Sequence, residues 1–374
     1  MGFVAPVTLP PGPWKVLGLM SGTSADGVDA ALIEVNPQAF AAGQPFQSLL
    51  GHRHAPYEPT LREAVLKAAS DQLKPSELCI LQRHLGEAHA QAALALLKTL
   101  PHRPHFASLH GQTVQHWPAE GATLQLADPY VLAEALQCPV VWDLRRRDMA
   151  LGGQGAPLVP LTELWLHGRA HPWAALNLGG IANLTAWDGT RLRAWDLGPA
   201  MSLLDLAAQR WLGLPFDPEG RHAAGRAVLP EPWFEHPHFL LPPPKSTGRE
   251  VFGAAWLEQA ATHLEPLSVE DRLATVAAFT AEACAREWKA WGMELPQGTP
   301  LLLSGGGSRH ARLREELTQR LPGFQVTVDR RFPEGAREAV SWALLGAASA
   351  AGVPGHDPAI TGARRAAVLG SWVP

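Results

Sequence analysis

Two stretches of this chain share one pattern, strand then polar glycine turn then strand, and together they limit the folds open to it. The first is Lys15–Val35, KVLGLMSGTSADGVDAALIEV. Val16, Leu17 and Leu19 lead into a polar turn, and Ala31, Leu32, Ile33 and Val35 lead out of it. The second starts at Trp173. Ala174, Ala175, Leu176, Asn177 and Leu178 run into Gly179-Gly180-Ile181-Ala182-Asn183, and Leu184–Trp187 lead out. A short turn at Asp188-Gly189 then opens a further strand that ends at Asp196. The second stretch reads as a degenerate echo of the first. The expectation is an α/β chain with two similar halves, each opening on a phosphate-gripping hairpin, facing each other across a cleft.

The first turn carries the most chemistry. Between Ser21 and Asp29, seven of nine positions are glycine or polar. An ordinary hairpin needs two such residues at its tip. Gly22 and Gly27 let the backbone turn and approach a ligand, and successive N–H groups in such a turn can cradle an anion. Ser21, Thr23 and Ser24 can donate to phosphate oxygens. Asp26 and Asp29 can face phosphate only across a cation. Hydroxyls beside carboxylates therefore point to a nucleotide phosphate with Mg²⁺. No Gly-x-x-x-x-Gly-Lys-Ser/Thr is present, so a P-loop is excluded.

Other segments fit the same picture. Helical periodicity covers 60–70, 76–100 with Ser76 as a cap, 129–136, 202–212, 254–263, 268–292 and 334–351. Phe106–Leu109 reads as a strand entering His110-Gly111-Gln112-Thr113, and Val140-Val141 as a buried strand ending at Asp143. DLRRRDMALGGQGAPLVP follows, three arginines and then a glycine-rich loop, where α/β proteins place ligands. Arg147 could grip an anionic or hydroxyl-rich ligand with its planar fork. Asp196, at a strand end before Gly198-Pro199, is the best candidate for a general base. PKSTGRE, at 244–250, is a compact polar loop able to close over a ligand. Leu301–Ser304, then Gly305-Gly306-Gly307, then a helix over 308–321, is a nucleotide-binding order, though not Gly-x-Gly-x-x-Gly. Glu338 stands among Ala, Val and Leu on the last long helix.

Composition removes several classes. With 46% hydrophobic and 18% charged residues in 374, the chain can bury cores for two domains. A net charge of −4 gives no general pull toward nucleic acid or an anionic membrane. Cys79, Cys138 and Cys284 lie far apart and form no disulfide framework or metal motif, which fits a reducing cytoplasm. No signal peptide is expected from MGFVAPVTLPPGPWK, and no run is long enough to span a bilayer.

These motifs together resemble the anhydro-N-acetylmuramic acid kinase family. The matching segments are GLMSGTSADGVDAALIE, HGQT, DLRRRDMALGGQGAPLVP, NLGGIANLT, Asp196-Leu197-Gly198-Pro199, PKSTGRE, LLLSGGG, the Glu338 helix and Ile360-Thr361-Gly362-Ala363. The resemblance covers nearly the whole chain. It implies two related actin-like ATPase (ribonuclease H-like) domains around a central nucleotide and sugar cleft, divided at 1–140 and 141–374, with the C-terminal helix able to return to the first domain.

It further implies that ATP and Mg²⁺ are used to open 1,6-anhydro-N-acetylmuramic acid and phosphorylate O6, giving N-acetylmuramic acid 6-phosphate in cell-wall recycling. Asp196 aligns on the base. Gly22, Thr23, Ser24, Ala25, Asp26, Gly27, Val28 and Asp29 align on the phosphate-binding stretch, with Gly179, Gly180, Asn183, Gly305, Gly306 and Gly307 completing the nucleotide site. Arg147 and Glu338 align on sugar-binding positions, and His110, Gln112 and Gln154 belong to the matched motifs beside them. Asp26 is the implied metal contact, through water. A cytoplasmic homodimer that binds neither nucleic acid nor membrane is implied. Ala200-Met201 stands where the family usually has Gly-Asn, and Leu109 where it has Ser. A kinase for another amino sugar, or an ATP-binding scaffold of the actin-like superfold, are the competing readings.

Overall fold

The computed structural model describes residues 8–22, 24–333 and 335–374. Among these described residues twelve strands form two sheets: β1 Trp14–Ser21, β2 Gly27–Val35, β3 Phe46–Pro56, β4 Phe106–Trp117, β5 Ala122–Leu126, β6 Val140–Trp142, β7 Trp173–Leu178, β8 Ile181–Trp187, β9 Leu192–Pro199, β10 Thr299–Ser304, β11 Phe324–Val328 and β12 Ser371–Val373. The chain divides into two compact units. One holds the residues up to Arg169 together with Phe332–Pro374, and the other holds Ala170–Arg331.

The first sheet runs β12-β6-β4-β1-β2-β3, with β5 paired to β4. The second runs β11-β10-β7-β8-β9. In each, three antiparallel strands joined by hairpins are extended by two parallel ones. β3, β2, β1, β4 and β6 correspond to β9, β8, β7, β10 and β11. Parallel neighbours need a crossover, and helices Pro129–Leu136 and Ala311–Arg320 supply it. This is the two-domain actin-like fold expected from the sequence, and the hairpin echo is its repeating element.

The unit boundaries differ from the division at 140/141. β6 pairs with β4 of the first sheet, so the chain cannot leave that unit before it. The tail also returns: β12 pairs with β6, and helix Ala336–Ala350 packs on β1 and β2. Contact there is close enough that a Cβ on Gly18 would sit 1.9 Å from the Ala339 carbonyl oxygen, so only glycine fits. β1 is buried on both faces. Leu17 and Leu19 join the core beneath helix Pro75–Leu97, while Trp14, Val16 and Met20 join the core beneath helix Ala336–Ala350.

Residues 214–253 contain little regular structure, as their Pro and His content suggests, yet Phe234 and Phe239 pack against Phe279 of helix Val269–Trp291, and Phe252 packs on Phe239. Asp143–Pro160 carries a helix, Arg146–Ala150, that the sequence did not suggest. The helix expected over 308–321 begins as a 3-10 turn, Gly306–Arg309, before Ala311–Arg320. The expected helix start at Glu334 lies outside the described residues. No helix among the described residues is long and apolar enough to cross a membrane.

Candidate functional site

In the first unit the polar groups gather around the β1–β2 turn. Ser21 is buried, and its hydroxyl lies 2.8 Å from the Gly27 carbonyl and 2.6 Å from Gln112 Oε1. Tyr57 donates to the same hydroxyl at 2.8 Å, and Gln112 Nε2 donates to the Gly22 carbonyl at 3.1 Å. Burial pushes the Tyr57 phenol well above its ordinary range, so it stays a donor. Ser21 and Gln112 therefore brace the turn from behind and are spent in doing so.

Thr23 lies outside the described residues. Ser24 is partly exposed, and Asp26 is exposed at the tip. Gly22 faces open space, where a Cβ would meet only Ser24 Oγ and Glu338 Oε2, at 3.7 and 3.9 Å. Gly27 serves packing instead, since a Cβ there would lie 2.3 Å from the Ala55 carbonyl oxygen of β3. The left-handed position is Ala25, at φ +50, buried and held by Arg62 Nε on its carbonyl at 3.1 Å. A non-glycine residue there costs conformational energy, which packing must offset. Val28 is in the core. Asp29 is engaged by His52 at 2.8 Å and His54 at 3.3 Å.

Glu338, in the first turn of helix Ala336–Ala350, makes no hydrogen bond within the described residues and is solvent-accessible. Partial desolvation and the Asp29 and Asp26 carboxylates push its carboxyl up, against Arg145. The structure puts Arg145, rather than Arg147, in this polar group. Arg145 reaches His110 Nε2 at 3.0 Å and the Gly155 carbonyl at 2.9 Å, and stacks 5.0 Å over Trp342. Arg147 is exposed and donates to the Val368 carbonyl at 2.7 Å. An arginine at the start of a short helix faces inward while its neighbours two residues on face water.

His110 accepts from Arg145 on Nε2, so its Nδ1 proton goes to the Gly111 carbonyl, 2.7 Å away. Burial and Arg145 hold it neutral. The Gln154 side chain is exposed, and the backbone N–H of Gln154 donates to the Thr361 carbonyl at 2.8 Å. Asp148 clasps this loop. It is fully buried and accepts from Gly155 N at 2.7 Å, from Thr361 Oγ1 at 2.6 Å and from His356.

In the second unit a polar rank crosses four adjacent strands. Ser304 of β10, Asn177 of β7, Asn183 of β8 and Asp196 of β9 are successive register partners. Ser304 Oγ lies 3.3 Å from Asn177 Oδ1. Asp196 Oδ2 accepts from Thr247 N at 3.0 Å, within the polar 244–250 loop. Burial, with Glu250 nearby, pushes the Asp196 carboxyl up to about 6. Its other oxygen makes no hydrogen bond within the described residues and is free to take a proton.

The glycines of this unit divide by role. Gly179 and Gly180 carbonyls accept the N–H groups that open helix Met201–Leu212: Met201 N to Gly179 at 2.9 Å, and Ala200 N and Ser202 N to Gly180 at 3.1 Å. Ser202 Oγ also donates to Gly180, at 2.7 Å, so it ties the helix to the turn rather than capping it. Gly305, at φ +76, and Gly307 leave no room for a side chain: a Cβ on either would lie 2.7 Å from Leu178, and one on Gly307 3.0 Å from the Met201 sulfur. Gly306 faces open space.

No group of three His, Cys, Asp or Glu among the described residues is placed to ligate a metal directly. Asp26, exposed and without a side-chain hydrogen bond within the described residues, fits a hydrated Mg²⁺ better than a bare one. Sequence reasoning missed Arg145, Asn177 and Ser304. The available signal for Asn177 and Ser304 was a polar residue in an otherwise apolar strand.

A family model described as anhydro-N-acetylmuramic acid kinase matches residues 14–374. A protein of Prochlorococcus marinus with that name is 44% identical over 377 residues, covering 95% of this chain and 98% of its own length. One of Streptomyces avermitilis with the same name is 41% identical over 376 residues, covering 96% and 94%.

Proposed function

The chain belongs to the anhydro-N-acetylmuramic acid kinase family, and from that membership we propose that it opens the 1,6-anhydro ring of 1,6-anhydro-N-acetylmuramic acid with water and phosphorylates the freed O6 from ATP. The product is N-acetylmuramic acid 6-phosphate, in the recycling of cell-wall sugars. Asp196 takes a proton from the water that attacks the anomeric carbon. The bond from that carbon to O6 breaks, O6 attacks the γ-phosphorus, and ADP leaves. Opening the bicyclic acetal releases ring strain and creates the nucleophile in one step. The chain's own work is positioning and charge neutralisation.

The observation that carries this reading is the Asp196 carboxyl. It has one oxygen anchored by the Thr247 N–H and the other unengaged, at a carboxyl held up near the operating range of a general base. Gly22, Thr23 and Ser24 are assigned to phosphate, with Gly179, Gly180 and Gly306 as backbone surfaces for the nucleotide. Magnesium on ATP would neutralise phosphate charge, with Asp26 reaching it through water. Glu338 and Arg145 are assigned to the sugar. The protein is read as a cytoplasmic homodimer.

The test is turnover of the purified chain with the anhydro sugar, ATP and Mg²⁺ in heavy-oxygen water. The expected product is a phosphorylated sugar with one heavy oxygen, at the anomeric carbon and not in the phosphate. Label in the phosphate, or a strong preference for a different amino sugar, overturns the assignment.

A further inference from the structure

We propose that Lys245 and Glu287, an ion pair beneath the 244–250 loop, are positioning residues for Asp196. The proposal rests on Asp196 being the base, as read above. Lys245 and Glu287 side chains are only 4% and 2% exposed, with Nζ and Oε1 2.7 Å apart. Such a pair is a poor source of stability, since the cost of removing both charges from water largely offsets their attraction. Its geometry offers another role.

Glu287 lies on helix Val269–Trp291, in the core of the second unit. Its Oε2 accepts from Trp195 Nε1 at 3.1 Å, and Trp195 is the residue before Asp196 on β9. Successive strand residues point to opposite faces, so fixing the Trp195 indole from below fixes the rotation of Asp196 above. Lys245 Nζ also donates to the His238 carbonyl at 2.8 Å. The chain so anchored returns three contacts to Asp196. Lys245 O accepts from Asp196 N at 3.2 Å, His238 Nε2 donates to Asp196 O at 3.1 Å, and Thr247 N donates to Asp196 Oδ2 at 3.0 Å. The base is thus gripped by main chain and side chain, and every grip leads back to Glu287.

The charged groups around Asp196 are few. Glu250 raises its proton affinity, and the Thr247 N–H lowers it. His238, held down to about 4 by burial and Lys245, is uncharged. Lys245 and Glu287 cancel each other. Losing the anchor therefore loosens the Thr247 N–H, the only one of these contacts that favours the ionised carboxylate.

The experiment compares Lys245→Met, Glu287→Gln and the double variant Lys245→Met/Glu287→Leu. Each is measured for kcat and KM across pH and for the titration of the Asp196 carboxyl by carbon NMR, its signal identified by loss in Asp196→Asn. The expected result is a kcat lowered by about 10- to 100-fold with little change in the KM for ATP and, in the double variant, where no lone charge is left beside Asp196, an acid limb and an NMR titration both moved to higher pH. The double variant, with no lone buried charge, is expected to regain thermal stability and keep the low kcat. A double variant with wild-type kcat, or one whose Asp196 titration is unmoved, overturns the proposal. If wild-type protein has no turnover, the functional reading fails, and the NMR titration still decides whether this anchor governs Asp196.

Discussion

The two sheets repeat one strand order, but their hairpins are held from different sides. The β1–β2 turn is braced from behind by Gln112, Ser21 and Tyr57, which leaves Gly22, Ser24 and Asp26 facing outward. The β7–β8 turn gives its Gly179 and Gly180 carbonyls to the start of helix Met201–Leu212, so its outward-facing groups are tied to the protein itself. Each unit also clasps one long loop with a buried carboxylate. In the first, Asp148 accepts from neutral donors and His356. In the second, Glu287 pairs with a lysine. A duplicated fold can thus leave one turn facing solvent while tying the corresponding turn to its own helix.

The largest effect that tests this difference is at Asp196. Asp196→Asn is expected to lower turnover by about 10²- to 10⁴-fold with ATP binding intact, read by steady-state kinetics and calorimetry. The same change should raise the Tm at neutral pH. The Asp196 carboxyl sits at about 6 in the folded chain, above the ordinary range of an aspartate. The stability this gives is complete at low pH and is lost as pH rises to about 6. Above that, the folded chain bears the cost of an ionised, half-buried group, on the order of 3 kcal/mol. The amide of Asn escapes that cost and can still accept from Thr247. Wild-type activity should fall as pH drops through about 6. A flat profile between pH 5 and 7 would contradict the base assignment.

Next in size is the clasp of the first unit. Asp148→Ala leaves Thr361 Oγ1, Gly155 N and His356 without their acceptor, and about 3–5 kcal/mol of stability should be lost. Denaturant melts check this, and the Asp196 titration should not move. A third test separates two arginines. Arg145→Ala removes hydrogen bonds to His110 and Gly155 and is expected to weaken sugar affinity by roughly 1.5–3 kcal/mol, whereas Arg147→Ala should change it little. Equal effects would restore Arg147 as the sugar ligand. The smallest effect is expected at Ser202. Ser202→Ala removes one hydroxyl contact to Gly180 and should cost about 1 kcal/mol. A larger loss would mean the side chain, rather than the three backbone contacts, holds the second turn.

The hairpins, and the duplication they announce, were legible because strand, glycine turn and strand leave a local pattern. Asp196 was expected to close its strand, but β9 runs on to Pro199 and holds it within the sheet, opposite Asn183. Arg145 was not separable from Arg147, because RRRD gives no phase until the short helix Arg146–Ala150 fixes which guanidinium faces inward. Gly27 looked like a turn residue, and only the closeness of Ala55 on β3 shows it to be a packing one. The Ser304–Asn177–Asn183–Asp196 rank joins residues far apart in sequence, and strand register alone brings them into line.

The return of Phe332–Pro374 to the first unit has a consequence for how the chain is made. On the ribosome, every residue of the second unit is available before the helix that covers β1 and β2 has been translated. The later-coded unit can therefore fold first, while the earlier one waits with Val16, Met20 and Ile33 unburied on one face of its sheet. That interval, set by the order of synthesis and not by any contact in the finished molecule, is when this protein most needs protection from aggregation.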